Sequence, residues 1–207
     1  MRVLLLNTAG GEGSVALADT EASPAVIASE VLPGRSASER LVPVVRRLME
    51  EAGWKLGELA AIAVVHGPGS FTGVRVGLAA AKGLSEAGGA PLIAISRLEL
   101  LAEIGDGSCA VLDAGRGEFY VGQSGAGEQL VQARDLPAIC EGQSIVVCEA
   151  RVAEALPQAT FVAEPLAQDA LPLALERIAA KQFDDAASVD ANYLRRTDLE
   201  IFAKIRG

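Results

Sequence analysis

Few residues here could do chemistry, and their spacing limits what that chemistry could be. His66 is the only histidine, so a Ser-His-Asp set or an imidazole-based metal site would have to use it. The three cysteines, Cys109, Cys140 and Cys148, show neither C-x-x-C nor metal-ligand spacing. His66 therefore reads as a loop-orienting residue, and the thiols as reduced and buried in a cytoplasmic protein. What remains is "HGPGSFTGVRVGLAAAKG", His66 to Gly83, which carries five glycines. A glycine-rich turn between an apolar run and a helix can offer its backbone N–H groups to an anion.

That stretch fits none of the usual phosphate cradles. Gly67 and Gly73 are six apart and Val74 follows, where a P-loop needs a lysine. Thr72 stands where the dinucleotide fingerprint needs its last glycine, and no Gly-x-Ser-x-Gly elbow frames Ser70. Two readings stay open: an anion held by Gly67 and Gly69, or glycines that allow close packing. Gly73, Gly77, Ala81 and Ser85 recur four apart and give the following helix a strip with little side chain. Asp113 ends an apolar run, where it could hold a cation near phosphates or cap a turn. Its counterpart near the start, Asn7, brings no charge, so a two-carboxylate clamp is at best half present. Asn7, Gly67, Gly69 and Asp113 are the candidate anion or nucleotide site.

Strands with interleaved helices position these residues. "RVLLLNTA" and "SVALAD" read as a hairpin and "AVIASEVL" as a third strand. "SASERLVPVVRRLMEEAG" reads as a helix, with Leu41, Val44, Val45, Leu48 and Met49 at helical spacing and Gly53 as its stop. "LAAIAVVHG" is a buried strand, followed by a helix over about 74–87, the strand "APLIAIS" and the short helix "RLELLAEI". Near residue 106 the pattern restarts. "VLLLNTAGGEGSVALAD" aligns with "CAVLDAGRGEFYVGQSG", with Asn7 opposite Asp113. "SIVVCEA", helical "RVAEAL", a short strand "TFVAEP" and helical "PLALERIAAKQFD" follow. The expectation is an α/β protein with an N-terminal half over 1–105 and a C-terminal half over 106–189. The tail, 190–207, returns to the first half.

Composition excludes several function classes. Net charge is −9 over 207 residues, a poor basis for autonomous nucleic-acid binding, which needs clustered Lys and Arg. The small basic groups, Arg46 with Arg47 and Arg195, Arg196, Lys204 and Arg206, read as solvated helix faces or chain ends. No apolar stretch reaches the roughly 18–20 residues of a membrane span, and "MRVLLLNTAG" is too short in its apolar run for a signal peptide.

"HGPGSFTGVRVGLAAAKGL" followed by "PLIAISRLELLA" resembles the TsaB (YeaZ) family of tRNA threonylcarbamoyladenosine synthesis. The opening strand, "SERLVPVVRRLM", "LDAGRGEFY" and "NYLR" support the resemblance, while residues 125–185 match only in layout. The resemblance implies a duplicated actin-like (ribonuclease H-like, ASKHA superfamily) fold. It implies a scaffold subunit, itself inactive, that pairs with the catalytic relative TsaD and is joined by the ATPase TsaE. The assembly transfers a threonylcarbamoyl group to the adenosine beside the anticodon of tRNAs reading A-starting codons. tRNA is then reached only through the complex, and no cofactor is expected. In TsaD a His-x-x-x-His pair binds metal; here Arg97 and Leu101 stand in its two places, and neither can act as an imidazole ligand. Asn7 replaces an aspartate expected in the superfamily's first phosphate motif. The resemblance places the pairing surface on the first two helices, for which Leu41, Val45, Leu48, Val76, Ala80 and Leu84 are the candidates. Two copies could pair through the same surface when TsaD is absent. The competing class is an enzyme: an actin-like ATPase or phosphotransferase, or a metallopeptidase-like protein.

Overall fold

The run Val3–Leu6 is apolar at every position because it forms the centre of a sheet covered on both faces. In the computed structural model, which describes residues 1–33 and 36–194, this strand is β1 (Arg2–Asn7). It pairs antiparallel with β2 (Gly13–Asp19) and parallel with β4 (Ala61–Val65). β3 (Val26–Leu32) and β5 (Leu92–Ile95) complete a sheet of order β3-β2-β1-β4-β5. The second sheet repeats the plan. β6 (Cys109–Gly115) lies at its centre, antiparallel to β7 (Glu118–Gln123) and parallel to β9 (Ile145–Val147). β8 (Gly127–Gln132) and β10 (Thr160–Phe161) form the edges, giving β10-β9-β6-β7-β8. Asn7 and Asp113 thus occupy equivalent positions at the ends of the two central strands. β8 was not foreseen, because "GEQLVQ" has only two apolar residues to mark its alternation.

α1 (Ala37–Glu51) and α2 (Phe71–Gly88) pack on the first sheet and on each other. α1 turns Leu41, Val44, Val45, Leu48 and Met49 into the core, each large side chain contributing about 1.5–3 kcal/mol by leaving water. Gly53, in the left-handed region at φ +68°, follows the end of α1 and takes the conformation a helix terminus favours. α2 begins at Ser70, whose hydroxyl accepts from Gly73 N at 3.2 Å, a normal N-cap.

α2 also approaches β1 more closely than side chains would permit. A Cβ at Gly73 would collide with the Thr8 carbonyl oxygen, and one at Gly77 with the Thr8 hydroxyl. That hydroxyl donates to Gly73 O at 2.7 Å, and Ser70 N donates to Ala9 O at 2.8 Å. The glycine strip is therefore a seam where the start of a helix lies against the end of the central strand.

The two halves divide differently in space than in sequence. α3 (Arg97–Ile104) stands between the sheets: Leu98 and Leu101 pack with Ala110, Leu112 and Val146 of the second, and Leu100 with the first core. α4 (Leu136–Ile139) and α5 (Ala150–Ala155) cover the other face of the second sheet through Leu136 and Val152. A 3₁₀ turn over Ala167–Ala170 and α6 (Leu171–Ala179) then return to the first core, burying Ala167, Leu171, Leu173 and Ala174 there. The expected unit 106–189 is corrected on this point, since residues 167–174 belong to the first core. The amphipathic α6 finds its apolar partner there because β5 needs a cover. The tail also joins the first half where it is described: Asn192 N donates to His66 O at 2.8 Å. Arg195, Arg196, Lys204 and Arg206 lie outside the described residues.

Two glycines of α2 should respond oppositely to alanine. Gly73→Ala should cost about 1–3 kcal/mol, because the Thr8 backbone cannot move aside. Gly83, with open space around it, should gain about 0.5–1 kcal/mol from the same change. Urea unfolding of the two variants measures both signs.

Candidate functional site

The carboxyl ends of the two sheets face a common cleft of about 370 Å³, bordered by Gly10, Gly11, Gly69, Arg97, Asp113 and Glu164. In α/β sheets this edge is where ligands bind. β6, β9 and β10 run parallel, so Asp113, Glu149 and Glu164 emerge at one edge of the second sheet. From the first sheet, the chain leaving β5 reaches Ser96, whose hydroxyl caps α3 by accepting from Leu98 N at 3.1 Å. Arg97 follows and points into the cleft.

Arg97 is 5% exposed. Its Nη2 donates to Glu164 Oε1 at 3.0 Å and to Glu149 Oε1 at 3.4 Å. Its Nε is buried without a hydrogen-bond partner among the described residues. A buried cation needs such pairing, because its desolvation costs several kcal/mol. Glu149 also accepts from Asp113 N at 2.6 Å. Glu164 Oε1 accepts a further hydrogen bond from Gly11 N at 2.8 Å. Asp113 itself accepts from Gly115 N at 2.8 Å and from Arg151 Nη1 at 2.9 Å, so it caps its turn and carries its own counter-ion.

Of the four residues of the expected anion site, the cleft brings together Gly69 and Asp113 but neither Asn7 nor Gly67. Asn7 is buried and acts as a latch: its Nδ2 donates to Pro165 O at 2.8 Å and its Oδ1 accepts from Ala9 N at 3.0 Å. Ser14 Oγ accepts from Ala167 N at 2.8 Å, so residues 164–167 form a strap across the end of the first sheet. Gly67 faces the tail, with Asn192 O at 3.2 Å from where a Cβ would lie, and its carbonyl accepts from Arg97 N at 2.7 Å. His66 Nδ1 lies 3.1 Å from Asp190 O, holding the tail against the loop.

The six expected pairing residues separate into two groups. Leu41, Val45 and Leu48 are fully consumed by the chain's own core, a correction whose reason is simple: α1 has one apolar face, and the sheet takes it. Val76, Ala80 and Leu84 are half-buried on α2. The exposed large apolar side chains of these helices are Val42, 51% accessible, and Phe71, whose ring carries the Arg75 guanidinium at 3.5 Å. Glu149, Glu164, Arg151 and Gly11 were missed from sequence. The signal available was a carboxylate near the end of each of three parallel strands, Asp113 within the last residues of β6 and Glu149 and Glu164 just beyond β9 and β10.

The cysteines are all free thiols. Cys109 and Cys140 share a hydrogen bond at 4.0 Å between sulfurs. Burial pushes the Cys148 thiol up to about 11, opposed by Arg97 and reinforced by Glu149 and Glu164. Among the described residues no three His, Cys, Asp or Glu side chains converge as a metal site, and no helix is long and apolar enough to cross a membrane.

Two sheets of one strand order, with a cleft between their carboxyl ends, define a duplicated actin-like (ribonuclease H-like) protein. YeaZ from Pseudomonas aeruginosa has this architecture, with a TM-score of 0.77 at 28% identity over 93% of this chain and 100% of that one. The family described as TsaD, tRNA N6-adenosine threonylcarbamoyltransferase, matches residues 29–189. The tRNA threonylcarbamoyladenosine biosynthesis protein TsaB of Escherichia coli (strain K12) is 36% identical over 58% of this chain and 53% of its own length. An uncharacterized protein of Mycobacterium bovis is 30% identical over 92% of this chain and 96% of its own. The chain belongs to the TsaB (YeaZ) family. The matched region spans about half the length of the E. coli relative.

Two outcomes follow from this geometry. Asn7→Asp replaces a buried donor by a carboxylate facing the Pro165 carbonyl, and should cost about 3 kcal/mol in urea unfolding. At pH 8 only about a thousandth of Cys148 should be thiolate, against about a quarter of an ordinary cysteine. Its alkylation by iodoacetamide, followed by mass spectrometry, should rise about tenfold per pH unit from 8 to 10.

Proposed function

We propose that this chain is a non-catalytic subunit of threonylcarbamoyl transfer to tRNA, pairing with TsaD and joined by TsaE. The observation that carries this reading is Arg97. It stands at the first of two positions where the resemblance places metal-binding imidazoles, and it is a buried, ion-paired guanidinium. A guanidinium stays protonated and has no lone pair to give a metal. Leu101, at the second position, is packed into the core beside Ala110 and Leu112. The relatives are named for biosynthesis of the modified base, which supports the substrate class. The acidic chain reaches tRNA through its partner in this reading, in the cytoplasm, and without a cofactor of its own.

The pairing surface is the outer side of α1 and α2, where Val42 and Phe71 are exposed beside half-buried Val76, Ala80 and Leu84. A second copy can take the same place when TsaD is absent. Purified TsaD and TsaE, given threonylcarbamoyl adenylate, ATP and tRNA, should make the modified base with release of AMP when this chain is present, and lose at least about tenfold in rate without it. Val42→Arg should fold normally, because the side chain is exposed, and should weaken co-elution with TsaD. Equal rates with and without the chain would overturn the role. Phosphate release from ATP by the chain alone would favour an ATPase instead.

A further inference from the structure

The cleft already contains an anion, and it is part of the chain. Glu164 Oε1 accepts from Gly11 N at 2.8 Å and from Arg97 Nη2 at 3.0 Å. The same oxygen stands where a Cβ of Gly10 would have to be, so the turn between β1 and β2 has room for a carboxylate only because residue 10 has no side chain. One backbone donor and one buried guanidinium therefore converge on one oxygen. Arg97 has a further donor, Nε, that is buried and unpartnered among the described residues. Arg97 Nη2 also reaches Glu149 Oε1 at 3.4 Å, so the guanidinium, with its unpartnered Nε, has more donor capacity than the Glu164 oxygen alone uses. Glu164 is the least fixed part of it: its side chain is 39% exposed, whereas Gly11 N is backbone and Arg97 is buried.

We propose that the cleft is an oxyanion site whose resident ligand is the Glu164 carboxylate, and that withdrawing this carboxylate opens it to an external carboxylate or phosphate. Residues 164–167 are the lever. Asn7 and Ser14 hold the strap at Pro165 and Ala167, one residue and three residues beyond Glu164. A shift of the strap would move the blocking group directly. The site holds or fails independently of the pairing role, since its test needs neither partner nor tRNA.

The test follows the Gly11 amide resonance of the full chain during titration with acetate, with inorganic phosphate, and with chloride at matched ionic strength. In Glu164→Ala, acetate or phosphate should give a saturable shift, with affinity about tenfold or more above wild type, the scale of one charge-assisted hydrogen bond. Saturation by acetate alone assigns the site to carboxylates, and saturation by phosphate assigns it to phosphoryl groups. Adding Arg97→Met should abolish the response. Glu164→Ser, equally short, carries the same expectation should the alanine chain not fold. A variant that responds no more than wild type, a response matched by chloride, or one that survives Arg97→Met would each overturn the proposal.

Discussion

The approach of α2 to the end of β1 is the constraint from which the rest of the first half follows. Thr8 and Ala9 leave the central strand and lie directly on Gly69, Gly73 and Gly77. Both the Thr8 hydroxyl and the Ala9 carbonyl are hydrogen-bonded across this seam. With α2 fixed there, α1 packs beside it and the loop from His66 to Ser70 is placed at the mouth of the cleft. The same loop receives Arg97 N on the Gly67 carbonyl, so the seam also sets where α3 begins and where its guanidinium points.

Electrostatics then occupies the space that this geometry creates. Three carboxylates leave the ends of parallel strands in the second sheet. Like charges at such separation would repel, but Arg97 and Arg151 enter between them and leave the cluster near balance. The cleft resembles a ligand site in its position and differs from one in being filled by ion pairs. In the function proposed above, the architecture of a catalytic relative is kept and its chemistry replaced, and such a cleft agrees with that reading.

Much of this was legible in the sequence because the informative patterns are local. The all-apolar Val3–Leu6, the α1 stripe and the hairpin restart at Cys109 each reflect burial periodicity, and each formed the element expected. The glycine strip raised two readings, and its helix phase alone could not decide between them. β8 was missed because an edge strand needs little apolar surface, although the repeat itself called for a third strand. The stripe Leu41, Val45 and Leu48 was misassigned to a partner because periodicity marks an apolar face without saying what covers it. Glu149 and Glu164 were invisible for a different reason: their meaning depends on Arg97, 52 and 67 residues away in the chain.

The return of residues 167–174 to the first sheet has a consequence for synthesis. A ribosome delivers β1 to β5 first, yet the core around those strands lacks Ala167, Leu171, Leu173 and Ala174 until nearly the whole second half has emerged. An apolar face must wait uncovered in the interval, the kind of exposure that invites aggregation or chaperone capture. The first half therefore cannot finish folding as a unit on its own; its completion is timed by the arrival of residues 167–174.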